Sequence, residues 1–207
     1  MPTDVPSSSP AASPDAPVTL SIDFPQRPLD RLSTGLRLLW AVPIVLLLAT
    51  VSGGSTGAGG LLVVAPALML LFRRRYPRWW LFWNRELLGF GTRVAAYLAL
   101  MDDRYPSTED PQAVHLTIVD PGRDPMLSRG LPLVKWLLAL PHYLVLAVLW
   151  LGAILAVIAA WFAILATGRY PRALFHYVEG VLRWQLRVVA YAFILVTDEY
   201  PPFRLAP

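Results

Sequence analysis

Four side chains near the end of the chain have the spacing of a reactive row. His176, Glu179, Arg183 and Arg187 recur at intervals of three and four. On a helix that spacing gathers them on one face, and Glu179 and Arg183, four apart, can pair. A His-x-x-Glu pair is too common to name a metal site. His142 follows Pro141 at the start of a long apolar stretch, and a histidine in such a span can relay protons or bind metal. Here it stands alone, because 131–176 contains no Asp or Glu; an interfacial hydrogen bond is the plainer reading. His115 lies in an alternating stretch and faces solvent. Asp102-Asp103 and Asp198-Glu199 read as helix-end and turn charges rather than an acid/base pair. No HExxH, GxSxG, P-loop or GxGxxG arrangement is present. The chain has no cysteine, which removes thiolate nucleophiles, disulfides and Cys-ligated metal centres. No catalytic residue, cofactor or metal site is assigned, and the expectation is a protein that is not an enzyme.

The elements that would carry these residues are dominated by two charge-free runs, Leu38–Phe72 and Trp136–Thr167. The second is thirty-two residues long and ends at Gly168-Arg169-Tyr170-Pro171-Arg172. As one helix it would run about 48 Å, against about 30 Å of bilayer hydrocarbon. Two helices of about 16 residues turning near Gly152 use the length better, so each run reads as a membrane hairpin. The first has its turn in the glycine-rich Ser52–Gly60. Two further stretches, Trp79–Met101 and Ala173–Thr197, read as long helices. In the second the charged row makes a narrow stripe on an otherwise apolar helix, which suits a helix lying at the membrane interface with its charges in water. Val18–Ile22 and Val114–Ile118 alternate like half-exposed strands.

These elements recur. Val18-x-Leu20-x-Ile22 returns as Val114-x-Leu116-x-Ile118, Arg75-Tyr76-Pro77-Arg78 as Arg169-Tyr170-Pro171-Arg172, Arg93-Val94-x-Ala96-Tyr97 as Arg187-Val188-x-Ala190-Tyr191, and Asp103-x-Tyr105-Pro106 as Asp198-x-Tyr200-Pro201, about 95 residues apart. The expected fold is an all-α integral membrane protein, a tandem repeat of short strand, transmembrane helical hairpin and amphipathic interfacial helix. The two short strands, pairing with each other, add a minor β element. Residues 1–17 form a disordered tail, 18–106 and 114–207 the repeats, and 107–113 the linker. All eighteen basic residues lie outside the two apolar runs. The positive-inside rule then places both termini of a multi-pass membrane protein in the cytoplasm.

The composition, 56% hydrophobic and 15% charged with a net charge of +4, fits a membrane-side basic rim better than a nucleic-acid footprint. Arg75, Arg78, Arg169 and Arg172 sit where the runs end, beside Trp79, Trp80 and Phe175. Anionic lipid headgroups or a membrane-protein partner would be their contacts. Arg93 and Arg187 read as closing the polar stripe. Lipid or partner binding at the cell envelope is the leading function. A small transporter or channel, with six crossings and inverted repeats, is the alternative; a lipid enzyme would need a nucleophile or metal cluster that the sequence does not show.

IDFPQR near the start, LPHYLVL, WFAILATGRYPRALFHYVEGVLRW, the RVVAY helix and the TDEYPPF end resemble one family, over about residues 18–205. It is the bacterial membrane family named domain of unknown function 4389, common in actinobacteria. The resemblance implies a multi-pass membrane protein and carries no substrate, cofactor or catalytic residue.

Overall fold

The structure is a computed structural model that describes residues 17–51, 69, 78–110, 112–120 and 131–206. Strands β1 (Val18–Ile22) and β2 (Val114–Ile118) form a two-stranded antiparallel sheet, with Leu20 opposite Leu116 and Ile22 opposite Val114. The strands and their pairing are as the alternating sequence predicts. The helices are α1 (Arg31–Gly35), α2 (Arg37–Val51), α3 (Arg78–Leu98), α4 (Leu131–Leu138), α5 (Leu140–Thr167) and α6 (Arg172–Val189), the last widening into a π-turn over Ala190–Ile194.

The fold differs from the expected tandem of hairpins. Helix α5 runs unbroken for 28 residues through Gly152. It is the single helix among the described residues long and apolar enough to cross a bilayer. Of the first run, Leu38–Val51 belongs to α2; the Ser52–Gly60 turn and most of the return lie outside the described residues, as do 1–16 of the expected tail. Without two hairpins, the multi-pass topology and the cytoplasmic placement of both termini lose their basis, and so does the six-crossing transporter.

Gly152 has a packing reason instead of a turning one. A Cβ there would run into the Tyr177 hydroxyl, which donates to the Leu149 carbonyl at 3.1 Å. Gly152→Ala is therefore expected to destabilise by about 1–3 kcal/mol through overpacking. Removing the colliding oxygen in a Gly152→Ala, Tyr177→Phe double variant should recover most of that loss in a denaturant titration. The helix stops at Gly168, which takes a left-handed φ of 72° and donates its N–H to Ile164. Arg31 caps the same end, donating to the Ala166 carbonyl at 3.1 Å.

Helix α6 is the centre of the molecule. Phe175, Val178, Val181, Leu182, Leu186 and Val188 are all buried. One side packs on the α5 seam of Ala153, Ala156, Ala160 and Ile164, and another on β1. The expected interfacial helix is thus a core helix, because both its apolar and its charged faces find protein partners.

The chain reverses in a similar way after α3 and after the π-turn that extends α6. After each long helix a buried leucine, Leu100 or Leu195, adopts φ of 64° or 65° and reverses the chain. A left-handed leucine costs about 1–2 kcal/mol, which burying its side chain, worth about 1.5–3 kcal/mol, offsets. Each reversal turns an aspartate back onto a buried cation, Asp103 onto Arg37 and Asp198 onto Lys135.

Candidate functional site

The charged row of α6 does come together, but facing inward. Glu179, Arg183 and Arg187 are 7%, 8% and 9% exposed, whereas the His176 side chain is 65% exposed. Arg183 donates Nη2 to Glu179 Oε1 at 2.8 Å, Nε to the Leu20 carbonyl at 3.0 Å and Nη1 to the Leu205 carbonyl at 3.1 Å. Glu179 Oε1 accepts from the Ile22 N–H at 3.2 Å. These are the β1 backbone groups that point away from β2, so the pair covers a strand edge that would otherwise stay unpaired. One turn on, Arg187 donates to the carbonyls of Arg204 and Ala206 at 3.2 and 2.8 Å. Burial, together with Arg183 and Arg204 nearby, lowers its pKa to about 10. Arg93 does the same on α3, donating to the carbonyls of Ser107 and Thr108 at 2.8 and 3.1 Å. The stripe is a set of backbone clamps.

His142 is completely buried. Its Nδ1 accepts from the Trp184 indole at 3.1 Å, so the ring proton sits on Nε2. Phe203 stacks on the ring at 4.0 Å and Tyr200 lies at 4.8 Å. His142 is the seat on which the C-terminal segment rests. His115 is exposed as expected and pairs with Asp23 at 3.1 Å.

Two cations expected at the water boundary are instead in the core. Arg37 is 2% exposed and Lys135 is fully buried. Arg37 stacks over Tyr97 at 4.2 Å, donates to the Asp102 carbonyl at 2.6 Å and bonds the Asp103 carboxylate. Lys135 lies over Tyr191 at 5.3 Å, donates to Thr197 O at 2.7 Å and forms an ion pair with Asp198, Nζ to Oδ1, at 2.6 Å. Burial lowers the Lys135 pKa, and Asp198 partly opposes that. The recurrence of Asp103 as Asp198 is the one sequence sign of these pairs; it names the aspartates but not their partners.

The surface offers two features. A half-open polar hollow of about 680 Å³ is lined by Asp23, Phe24, Gln26, Arg172 and His176. Arg172 stands over the Phe24 ring at 5.3 Å. Of the four rim arginines, Arg169 and Arg172 are exposed beside the α5–α6 turn. Arg78 pairs with Asp120 at 3.7 Å across exposed surface, and Arg75 lies outside the described residues. The second feature is the outer ridge of α5. Leu144, Val148, Leu151, Leu155, Ile158 and Phe162 are 47–73% exposed.

Together these features define a helix-dominated domain whose charges secure its own backbone and whose longest helix leaves an apolar ridge bare. Residues 132–204 match the family model described as Domain of unknown function (DUF4389), the family that the sequence motifs resemble. The match covers nearly all of α4, then α5, α6, the π-turn and the segment seated on His142. No curated protein and no solved structure matches the chain.

Proposed function

We propose that this is a non-enzymatic lipid-binding protein of the bacterial cell membrane, held to the bilayer by the α5 ridge and steered by Arg169 and Arg172 toward anionic headgroups. The observation that carries it is the ridge itself. Leu144, Val148 and Leu155 are 73%, 71% and 60% exposed, and continuous apolar surface of this kind marks a membrane or partner contact. Phe162, 61% exposed, lies in the last turns of α5, and the exposed Arg169 and Arg172 follow it closely along the chain. The non-enzymatic reading is supported by the charged row, whose buried members are engaged in holding β1 and the C-terminal segment.

Flotation with liposomes containing anionic lipid tests it. The wild-type chain should rise with the vesicles. Val148→Glu with Leu155→Glu should leave it at the bottom of the gradient with its unfolding midpoint unchanged, because each charge in hydrocarbon costs about 2.5–3.5 kcal/mol. Arg169→Ala with Arg172→Ala should weaken binding to anionic vesicles about thirty-fold at low salt, at about 1 kcal/mol per arginine. A wild-type protein that stays soluble and never floats overturns the proposal.

A further inference from the structure

We propose that α5 lies in the plane of the bilayer, sunk into one leaflet, rather than across it. The proposal rests on α5 meeting lipid and goes further by naming a single leaflet as its partner surface. Length does not forbid crossing: 28 residues make about 42 Å. The neighbours of α5 forbid it. Helix α6 runs back along α5, joined to it by Tyr177 to Leu149, Gln185 to Trp150 and Trp184 to His142. On another side of α6 lies β1, fixed by Glu179 and Arg183. The layers therefore stack as α5, α6, sheet, at about 10 Å each.

The outer surface of that sheet is built for water. Ser21, His115 and Thr117 are exposed, and the Asp23 and His115 side chains remain 67% and 51% exposed where they meet. Were α5 to stand along the bilayer normal, α6 and the sheet would stand beside it at the same depth. A buried aspartate there would cost about 2.5–3.5 kcal/mol, and a lipid-exposed sheet does not persist in hydrocarbon unless closed. With α5 in the plane, the same sheet rides about 20 Å above it, beyond the acyl chains. The flanks of α5 are apolar as well as its crest, so it sinks deeper than an ordinary surface helix.

The lack of cysteine allows single-cysteine labelling. Ala173→Cys and Glu199→Cys mark opposite ends of the α5–α6 pair, both exposed. The purified variants are added to sealed vesicles of zwitterionic and anionic lipid, floated, and treated with a membrane-impermeant maleimide. Both cysteines should react fully without detergent. If one of the two in floated protein reacts only after detergent, α5 crosses and the proposal is overturned. Quenching by lipid-borne nitroxides of a fluorophore at Leu144→Cys, Leu151→Cys and Phe162→Cys should report one common depth; a middle position deeper than both ends would equally overturn it. Failure of the protein to float at all defeats the lipid-binding function instead, so the two failures are distinguishable.

Discussion

Replacing Arg183 by alanine is expected to destabilise the protein by about 3–5 kcal/mol, the usual loss when one partner of a buried ion pair is removed. The size follows from what would be left behind. Glu179, 7% exposed, would lose its guanidinium partner, and the carbonyls of Leu20 and Leu205 would each lose their arginine donor. Domains are typically stable by about 5–15 kcal/mol, so much of the margin would go. The denaturant midpoint should fall sharply, and amide exchange should rise first in β1. Arg183→Lys should recover only part, because an ammonium cannot span three acceptors held in a guanidinium fork. Adding Glu179→Gln to the alanine variant should also restore part, by removing the buried carboxylate that the guanidinium faced. A loss under about 1 kcal/mol, the range of an exposed pair, would mean that the row does not hold the strand.

Lys135→Met should be the second large effect, at about 3 kcal/mol, the lower end of the buried-pair range because the Asp198 side chain keeps 22% exposure. Methionine matches the volume of the lysine stem but leaves the Asp198 carboxylate and the Thr197 carbonyl without the ammonium. Adding Asp198→Asn to the Lys135→Met variant should regain part of the loss, and the coupling of the pair in a double-mutant cycle should fall between about 0.5 and 3 kcal/mol. Hydrogen exchange should place the damage in α4 and the π-turn, which this contact joins. An unchanged unfolding midpoint would show that the buried ammonium is not holding these elements together.

Much of the local structure was legible in the sequence. The alternation at Val18–Ile22 and Val114–Ile118 gave both strands, and the polar–apolar rhythm of Ala173–Thr197 placed a helix close to where α6 lies. What was not legible was direction. A spacing of three and four tells which residues share a face, not whether that face meets water. Glu179 and Arg183 would look the same on an interfacial helix and on one that offers a carboxylate and a guanidinium to a strand edge 157 to 163 residues earlier. Gly152 misled for a related reason. Glycine permits a turn, and it equally permits a close approach inside a helix, here by Tyr177. The core positions of Arg37 and Lys135 were hidden because flanking cations ordinarily anchor a span at its water boundary. Only the distant aspartates, brought back by the left-handed leucines, explain their burial.

The join between β1 and α6 also sets an order of events during synthesis. Ile22 is made 157 residues before the Glu179 that accepts its N–H. At about 5–20 residues per second the ribosome needs about 8–30 s to supply that partner. Throughout that interval the first strand has no edge cover. Helix α5, emerging before α6, leaves the exit tunnel with its inner seam bare as well as its outer ridge. The nascent chain is therefore stickiest just before α6 appears, and early capture of α5 by a lipid surface or a chaperone would shield it until α6 arrives to cover its seam.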